Sequence, residues 1–183
     1  MRRIAVLAAL LVLVPAGAAR ATDPPPVVNS QATPSATQTI FLGSLEQDVL
    51  TAINDVRLKY HLVPLRLNKQ LSVAARSHSV SMAQDGYFRH ESADGSPFWK
   101  RIKPLYPPRP RHTWGTGENM VWQSPDLSAA EAIDAWLNSP PHRKNLLTPS
   151  WREVGVGSVR ALAAPGVYEG LDVTIVTADF GVR

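Results

Sequence analysis

Apolar residues recur along this chain at two different periods, and the order of those periods restricts the fold more than any other feature. Leu45, Val49, Ile53, Val56 and Tyr60 fall at helical spacing, which predicts a first helix from Ser44 to about His61. Ser44 followed three residues on by Gln47 has the form of a capping box. Leu71, Ala74, Ala75, His78 and Met82 make a second stripe, with Asn68 as its cap and Gly86 as its stop. A third helix opens at another capping box, Ser128 with Glu131, and turns Ala132, Ile133, Trp136 and Leu137 inward. Strand patterns come mostly later. They are Glu118 to Trp122, then Trp151 to Arg160, then Leu171 to Phe180. Glycines at 155 and 157 would let another element approach the middle strand closely. Helices first and strands mostly last predict an α+β fold with an antiparallel sheet.

The first residues stand apart from this pattern. Arg2 and Arg3 precede an apolar run from Ile4 to Val14, and Ala19-Arg20-Ala21 has the small-x-small form of a cleavage site. Residues 1–21 therefore read as a signal peptide, too short in its apolar run to stay in a bilayer as a spanning helix. Residues 22–43, rich in Pro, Ser, Thr, Gln and Ala, read as a disordered linker. The folded domain is expected over residues 44–183. Removing the leader takes Arg2, Arg3 and Arg20, so Lys+Arg falls from 19 to 16 against 15 Asp+Glu, and the net charge from +4 to +1. A nucleic-acid partner loses its support with that charge. There is no cysteine, so an exported chain must hold together by its core, as in a bacterial envelope protein. Secretion to the periplasm or the extracellular space is the expected destination.

Between the third helix and the strand at Trp151 lies Ser139-Pro140-Pro141-His142-Arg143-Lys144-Asn145-Leu146-Leu147. Serine can cap a helix, proline at the first helical position loses no hydrogen bond, and Thr148-Pro149 stops the helix early. His142 and Asn145, three apart, share one face. The stretch reads as a site that reacts, binds a metal or holds the fold. His78 sits within an apolar stripe with no polar group on its face, which suits a core histidine with one hydrogen-bond partner better than a ligand. Residues 96–102 predict a short helix, and four prolines between Pro104 and Arg111 exclude regular structure there. That segment mixes Lys100, Arg101, Lys103, Arg109 and Arg111 with Trp99, Tyr106 and Trp114. It reads either as a solvated insertion or as a surface for an anionic envelope polymer.

Several chemistries are excluded by residue type. The chain has no Cys nucleophile, no G-x-S-x-G elbow, no H-E-x-x-H zinc motif, no Walker loop and no glycine-rich dinucleotide turn. His90, Glu118 and His142 remain. Two imidazoles and a carboxylate are a usual ligand set for a divalent metal, zinc first. From spacing alone, chance loop histidines are the favoured reading, because the three residues lie far apart in sequence.

Four separated motifs go further. Phe88-Arg89-His90, Gly117-Glu118-Asn119-Met120, the run from Trp136 to Leu147, and Glu153-Val154-Gly155-Val156-Gly157 resemble the signatures of the CAP superfamily. These are the cysteine-rich secretory, antigen 5 and pathogenesis-related 1 proteins, also called SCP-like extracellular proteins. The resemblance covers about Ser44 to Arg183 and is nearest to a bacterial, cysteine-free branch. It implies an α-β-α sandwich with a central three-stranded antiparallel sheet, and a cleft lined by His90, Glu118 and His142 as a metal site. It implies that Asn119 and Asn145 hold loops in place. Animal and plant relatives carry a further glutamate three residues after the helix tryptophan; here Ser139 stands there, leaving a three-residue version.

The expected function is that of an exported binding module whose His/Glu cleft holds a divalent metal, a lipid, a glycan or a peptide. One alternative is a metal-dependent hydrolase with Glu118 as base. Another is a structural or interaction protein in which His–Glu hydrogen bonds only stabilise the fold.

Overall fold

The computed structural model describes residues 38–40 and 43–183, so the expected leader and most of the expected linker lie outside the described residues. Within that linker stretch a three-residue strand, β1 (Gln38–Ile40), pairs with a later strand. Helix α1 (Gly43–Lys59) follows. Since it starts at Gly43, Ser44 lies in the first turn rather than at the cap. Its buried residues are Val49, Leu50, Ile53 and Arg57, while Tyr60, read as the end of the stripe, is 42 % exposed beyond the helix. A two-residue strand, β2 (Arg66–Leu67), leads into α2 (Lys69–Asp85).

The two ends of α2 form as its sequence predicts. The Asn68 side chain accepts hydrogen bonds from the Gln70 and Leu71 amides, and Gly86 closes the helix with a left-handed backbone. Both satisfy groups that a helix end leaves unpaired. Next come α3 (Trp99–Ile102), β3 (Gly115–Gln123), α4 (Ala129–Leu137) and α5 (Pro140–Leu146). The Ser128–Glu131 capping box of α4 is present in both directions. Two long strands, β4 (Glu153–Leu162) and β5 (Val173–Val182), end the chain, with one 3-10 turn at Gly166–Tyr168 between them.

The long strands lie antiparallel in the order β4-β5-β3. The expected three-stranded antiparallel sheet is therefore present but incomplete. Two short strands share the outer edge of β4, with β1 antiparallel over residues 160–162 and β2 parallel over residues 153–154. The sheet is mixed and four strands wide. Strands of two and three residues carry no apolar period, which is why the sequence does not announce them.

Alternation along the strands gives the sheet two faces. On one, Val154, Val156, Val176, Ala178 and Phe180 pack with Val49, Ile53, Ile133 and the fully buried Trp136 from α1 and α4. Trp136 also donates its ring N–H to the Met120 carbonyl at 3.0 Å, fixing α4 to β3. On the other face, Val159, Ile175 and Met120 pack with Met82 and Ala83 of α2. Helices thus cover both sides of the sheet, and the α-β-α sandwich stands. Among the described residues no helix is long and apolar enough to cross a membrane.

Gly155 and Gly157 set how closely α2 approaches. A Cβ at 155 would lie 2.0 Å from the Ser72 amide nitrogen, and one at 157 would lie 2.1 Å from that of Arg76. The obstacle is helix backbone, which cannot turn aside like a side-chain tip. Gly155→Ala is expected to cost about 3 kcal/mol or more in stability, measured by denaturant unfolding. An unchanged transition midpoint would contradict this packing.

Candidate functional site

Among the described residues, strand β3 pairs with β5 on one side only. Its neighbouring side chains Glu118 and Asn119 therefore point to opposite faces at an open edge. Elements from both layers meet over that edge.

On the α5 side, Asn119 is fully buried and donates its Nδ2–H to the His142 carbonyl at 2.9 Å. Asn145 donates its own side-chain N–H groups to the Glu118 carbonyl at 3.0 Å and to Asn119 Oδ1 at 3.1 Å. The Trp151 ring N–H in turn donates to the Asn145 carbonyl at 3.1 Å. Gly117 makes room for this. A Cβ there would meet Asn145 Oδ1 at 2.8 Å. Arg57, buried in α1, holds the far end of α5 by donating to the Leu146 and Thr148 carbonyls at 2.8 and 3.1 Å. The Leu146 carbonyl is among those a helix C-terminus leaves without partners, and the Thr148 carbonyl lies just beyond the cap. Ser139 occupies the N-cap position with proline at the first turn, but its side chain makes no capping hydrogen bond. The expected cap is therefore one of position only. The Asn119 and Asn145 side chains thus tie α5 to β3.

On the α2 side, the Glu118 side chain is 1 % exposed. Its Oε1 accepts from His90 Nδ1–H at 2.7 Å, and its Oε2 accepts from the Arg101 guanidinium on α3. Arg101 also donates to the His90 carbonyl at 2.8 Å, so one cation fixes both the carboxylate and the loop that carries the histidine. Burial opposes charge on Glu118, yet the His90 N–H and the Arg101 cation outweigh it and hold its carboxyl below the usual range. The His90 side chain remains 45 % exposed, and its ring centroid lies 6.2 Å from that of His142. Among the described residues, His90 Nε2 and the His142 ring nitrogens have no hydrogen-bond partner. Burial, reinforced by the charge of His90, lowers the His142 pKa, so that ring is neutral near pH 7.

The structure thus brings His90, Glu118 and His142 together, with Glu118 behind His90 rather than beside it. Both Glu118 oxygens are engaged, leaving two imidazoles facing outward. Among the described residues no group of three or more His, Asp or Glu is arranged to hold a metal ion. Two surface grooves of about 410 and 390 Å³ run along α1 and α2, and neither is lined by these three residues. His78 adopts the core role: buried, it shares a 3.0 Å hydrogen bond between Nε2 and the Arg89 carbonyl. Burial takes its pKa down to about 4.

Three participants escaped the sequence reading. Arg101 was counted as one cation of a basic loop, and Arg57 was hidden inside an apolar stripe. Asp179 is the third. It sits opposite Glu118 in the β3–β5 register, is fully buried, and neither carboxylate oxygen has a hydrogen-bond partner. Burial, and then the Glu118 charge, raise its pKa well above the ordinary value. The two carboxyls are thus pushed in opposite directions, Glu118 down and Asp179 up. A signal did exist. Asp179 falls on the inward phase of Val173, Ile175 and Thr177, where a lone acid is out of place.

Comparison with known proteins agrees with this architecture. The sequence profile of the cysteine-rich secretory protein family (CAP) matches residues 50–169. The uncharacterized protein YkwD of Bacillus subtilis is 34 % identical over 123 residues, which is 66 % of this chain and 44 % of that protein. The uncharacterized membrane protein YlbC of the same organism is 30 % identical over 61 % of this chain and 31 % of its own length. The chain thus spans less than half the length of these curated relatives. Among solved structures, an extracellular SCP-domain protein of Bacillus anthracis superposes with a TM-score of 0.60 at 26 % identity, over 77 % of this chain and 41 % of that one. An outer surface protein of Borrelia burgdorferi has the same fold, with a TM-score of 0.61 at 21 % identity over 80 % of this chain and 98 % of its own.

The raised Asp179 pKa carries a sign. An acid that stays protonated when folded but ionises when unfolded favours folding at low pH, and that favour is lost as pH rises from the unfolded towards the folded value. Asp179→Asn, neutral at every pH, should therefore raise the melting temperature at pH 7 to 8, with the gain shrinking below about pH 4. A variant less stable than wild type at pH 8 would contradict the assignment.

Proposed function

The chain belongs to the cysteine-rich secretory protein (CAP) family, and from that premise we propose that it is an exported binding module of the cell envelope or extracellular space. The B. anthracis relative is described as extracellular and the B. burgdorferi one as an outer surface protein, which supports the location. The ligand is one that bears hydroxyl groups, a glycan or a lipid headgroup, held between His90 and His142.

One observation carries this reading. The His90 ring spends Nδ1–H on a buried carboxylate at 2.7 Å, so in its neutral form Nε2 presents a fixed lone pair at the surface. The neutral His142 ring stands beside it. Such a pair accepts hydrogen bonds from hydroxyl groups, and the His90 ring is pre-oriented by Glu118, which lowers the entropic cost of binding.

The same pair suits a divalent cation in one respect, since a carboxylate behind a ligating imidazole is the usual outer partner in zinc sites. The donor set does not complete the fit. A catalytic zinc takes three protein ligands, and Glu118, buried and already hydrogen-bonded at each oxygen to His90 and Arg101, stands behind the ring as an outer partner and not as the third. Its burial and its two partners equally disfavour a role as base towards water, so no hydrolytic step is derived. Binding is the reading that uses every group as it stands.

Titration of the leader-free chain with N-acetylglucosamine oligomers and with a soluble glycerol-headgroup lipid, followed through the histidine ring signals by NMR, tests this. A ligand should shift both rings. His142→Ala should weaken it about tenfold without unfolding the protein, as expected for one lost hydrogen bond. If no hydroxyl-bearing probe moves either ring, the reading fails.

A further inference from the structure

Residues 96–117 hold five Lys and Arg and no Asp or Glu, in a chain whose net charge is +4 and falls to +1 with the expected leader removed. Arg101 is committed inward. Lys100, Lys103, Arg109 and Arg111 are exposed, and among the described residues none of them has an ion pair or side-chain hydrogen bond. Asp94 lies within electrostatic range of Lys100 but forms no ion pair with it.

Two large apolar side chains share this segment's surface, Trp99 and Leu105, each 39 % exposed. Their exposure is not a packing failure. The same segment buries Ile102 and Tyr106 completely, against Leu71 and Ala74 of α2. Tyr106 donates its hydroxyl to Glu153 at 2.5 Å, and its carbonyl accepts the Trp114 ring N–H at 2.8 Å. The segment is thus an anchored platform that turns apolar and cationic groups outward together.

We infer that this platform, Trp99 and Leu105 set among four free cations, docks the protein on an anionic lipid surface. Tryptophan and leucine beside lysine and arginine are the groups that seat a protein at a headgroup boundary, the former entering the interface and the latter meeting lipid phosphates. A soluble polyanion would use the cations and leave the apolar pair idle. That difference favours a membrane over an envelope polymer. The platform also carries Arg101, which fixes Glu118 and His90, so docking would bring the cleft close to the lipid surface. The inference deepens the binding reading above and rests on it for location, while its residues are separate from the imidazole pair.

Co-sedimentation of the leader-free chain with phosphatidylglycerol and with phosphatidylcholine vesicles tests it. Binding should be confined to phosphatidylglycerol and fall with added salt. Lys100→Gln with Lys103→Gln should weaken it about 25-fold, at about fivefold per cation. Trp99→Ser with Leu105→Ser should weaken it at least tenfold with the melting temperature unchanged. The Lys100→Gln, Lys103→Gln variant should still show N-acetylglucosamine oligomers shifting both histidine rings, so the cleft reading and this one fail separately. Absent or equal binding to the two lipids would overturn the inference. Loss in the charge variant alone, with the Trp99 and Leu105 variant binding as wild type, would point to an anionic polymer and would overturn it too.

Discussion

A carboxylate buried to 1 % exposure and still charged has to be answered by its surroundings, and the Glu118 site is organised around that demand. Arg101 supplies the opposing charge and His90 a directed N–H. Taking an ion out of water costs several kcal/mol unless partners of this kind are in place. Glu118 in turn decides which way the His90 ring faces, and Arg101 ties the loop carrying that ring to α3. Burial, and then the Glu118 charge, push the neighbouring Asp179 carboxyl well above the ordinary range.

Meeting this demand at the edge of β3 has a consequence for the whole layer arrangement. Successive residues of a strand face opposite ways, so Glu118 reaches the α2 layer while Asn119 reaches α5. His90 arrives from one layer and His142 from the other, and they meet over an edge that, among the described residues, no further strand covers. A central strand could not offer this. The absence of side chains at Gly155 and Gly157 lets α2 lie against β4, and the absence of one at Gly117 admits Asn145 and Trp151. Three glycines thus set the spacing that the polar groups need.

Much of this was legible in the sequence because it depends on local rules. The Asn68 and Gly86 ends of α2, the Ser128–Glu131 box and the two β4 glycines all act within a few residues of themselves. The CAP motifs pointed to His90, Glu118 and His142, and the fold brings the two rings to 6.2 Å with Glu118 hydrogen-bonded to His90. What stayed hidden depends on tertiary context. Arg57 and Arg101 look like ordinary surface cations until the carbonyls and the carboxylate they serve are folded beside them. Strands β1 and β2 are too short to show a period. Ser139 had the residue type and place of a cap, yet its hydroxyl makes no capping bond. Asp179 did carry a local signal, an acid on the inward phase of an apolar strand, but its meaning depends on Glu118 lying opposite.

The central claim is that the buried carboxylate fixes the His90 tautomer and so presents its Nε2 to a ligand. The nitrogen-15 shifts of the His90 ring, recorded at a pH where the ring is neutral, report this directly. The account predicts a protonated Nδ1 and a bare Nε2 in the wild type, and a mixed tautomer once Glu118→Leu removes the acceptor. A wild-type ring protonated at Nε2, or a tautomer indifferent to Glu118, would contradict it.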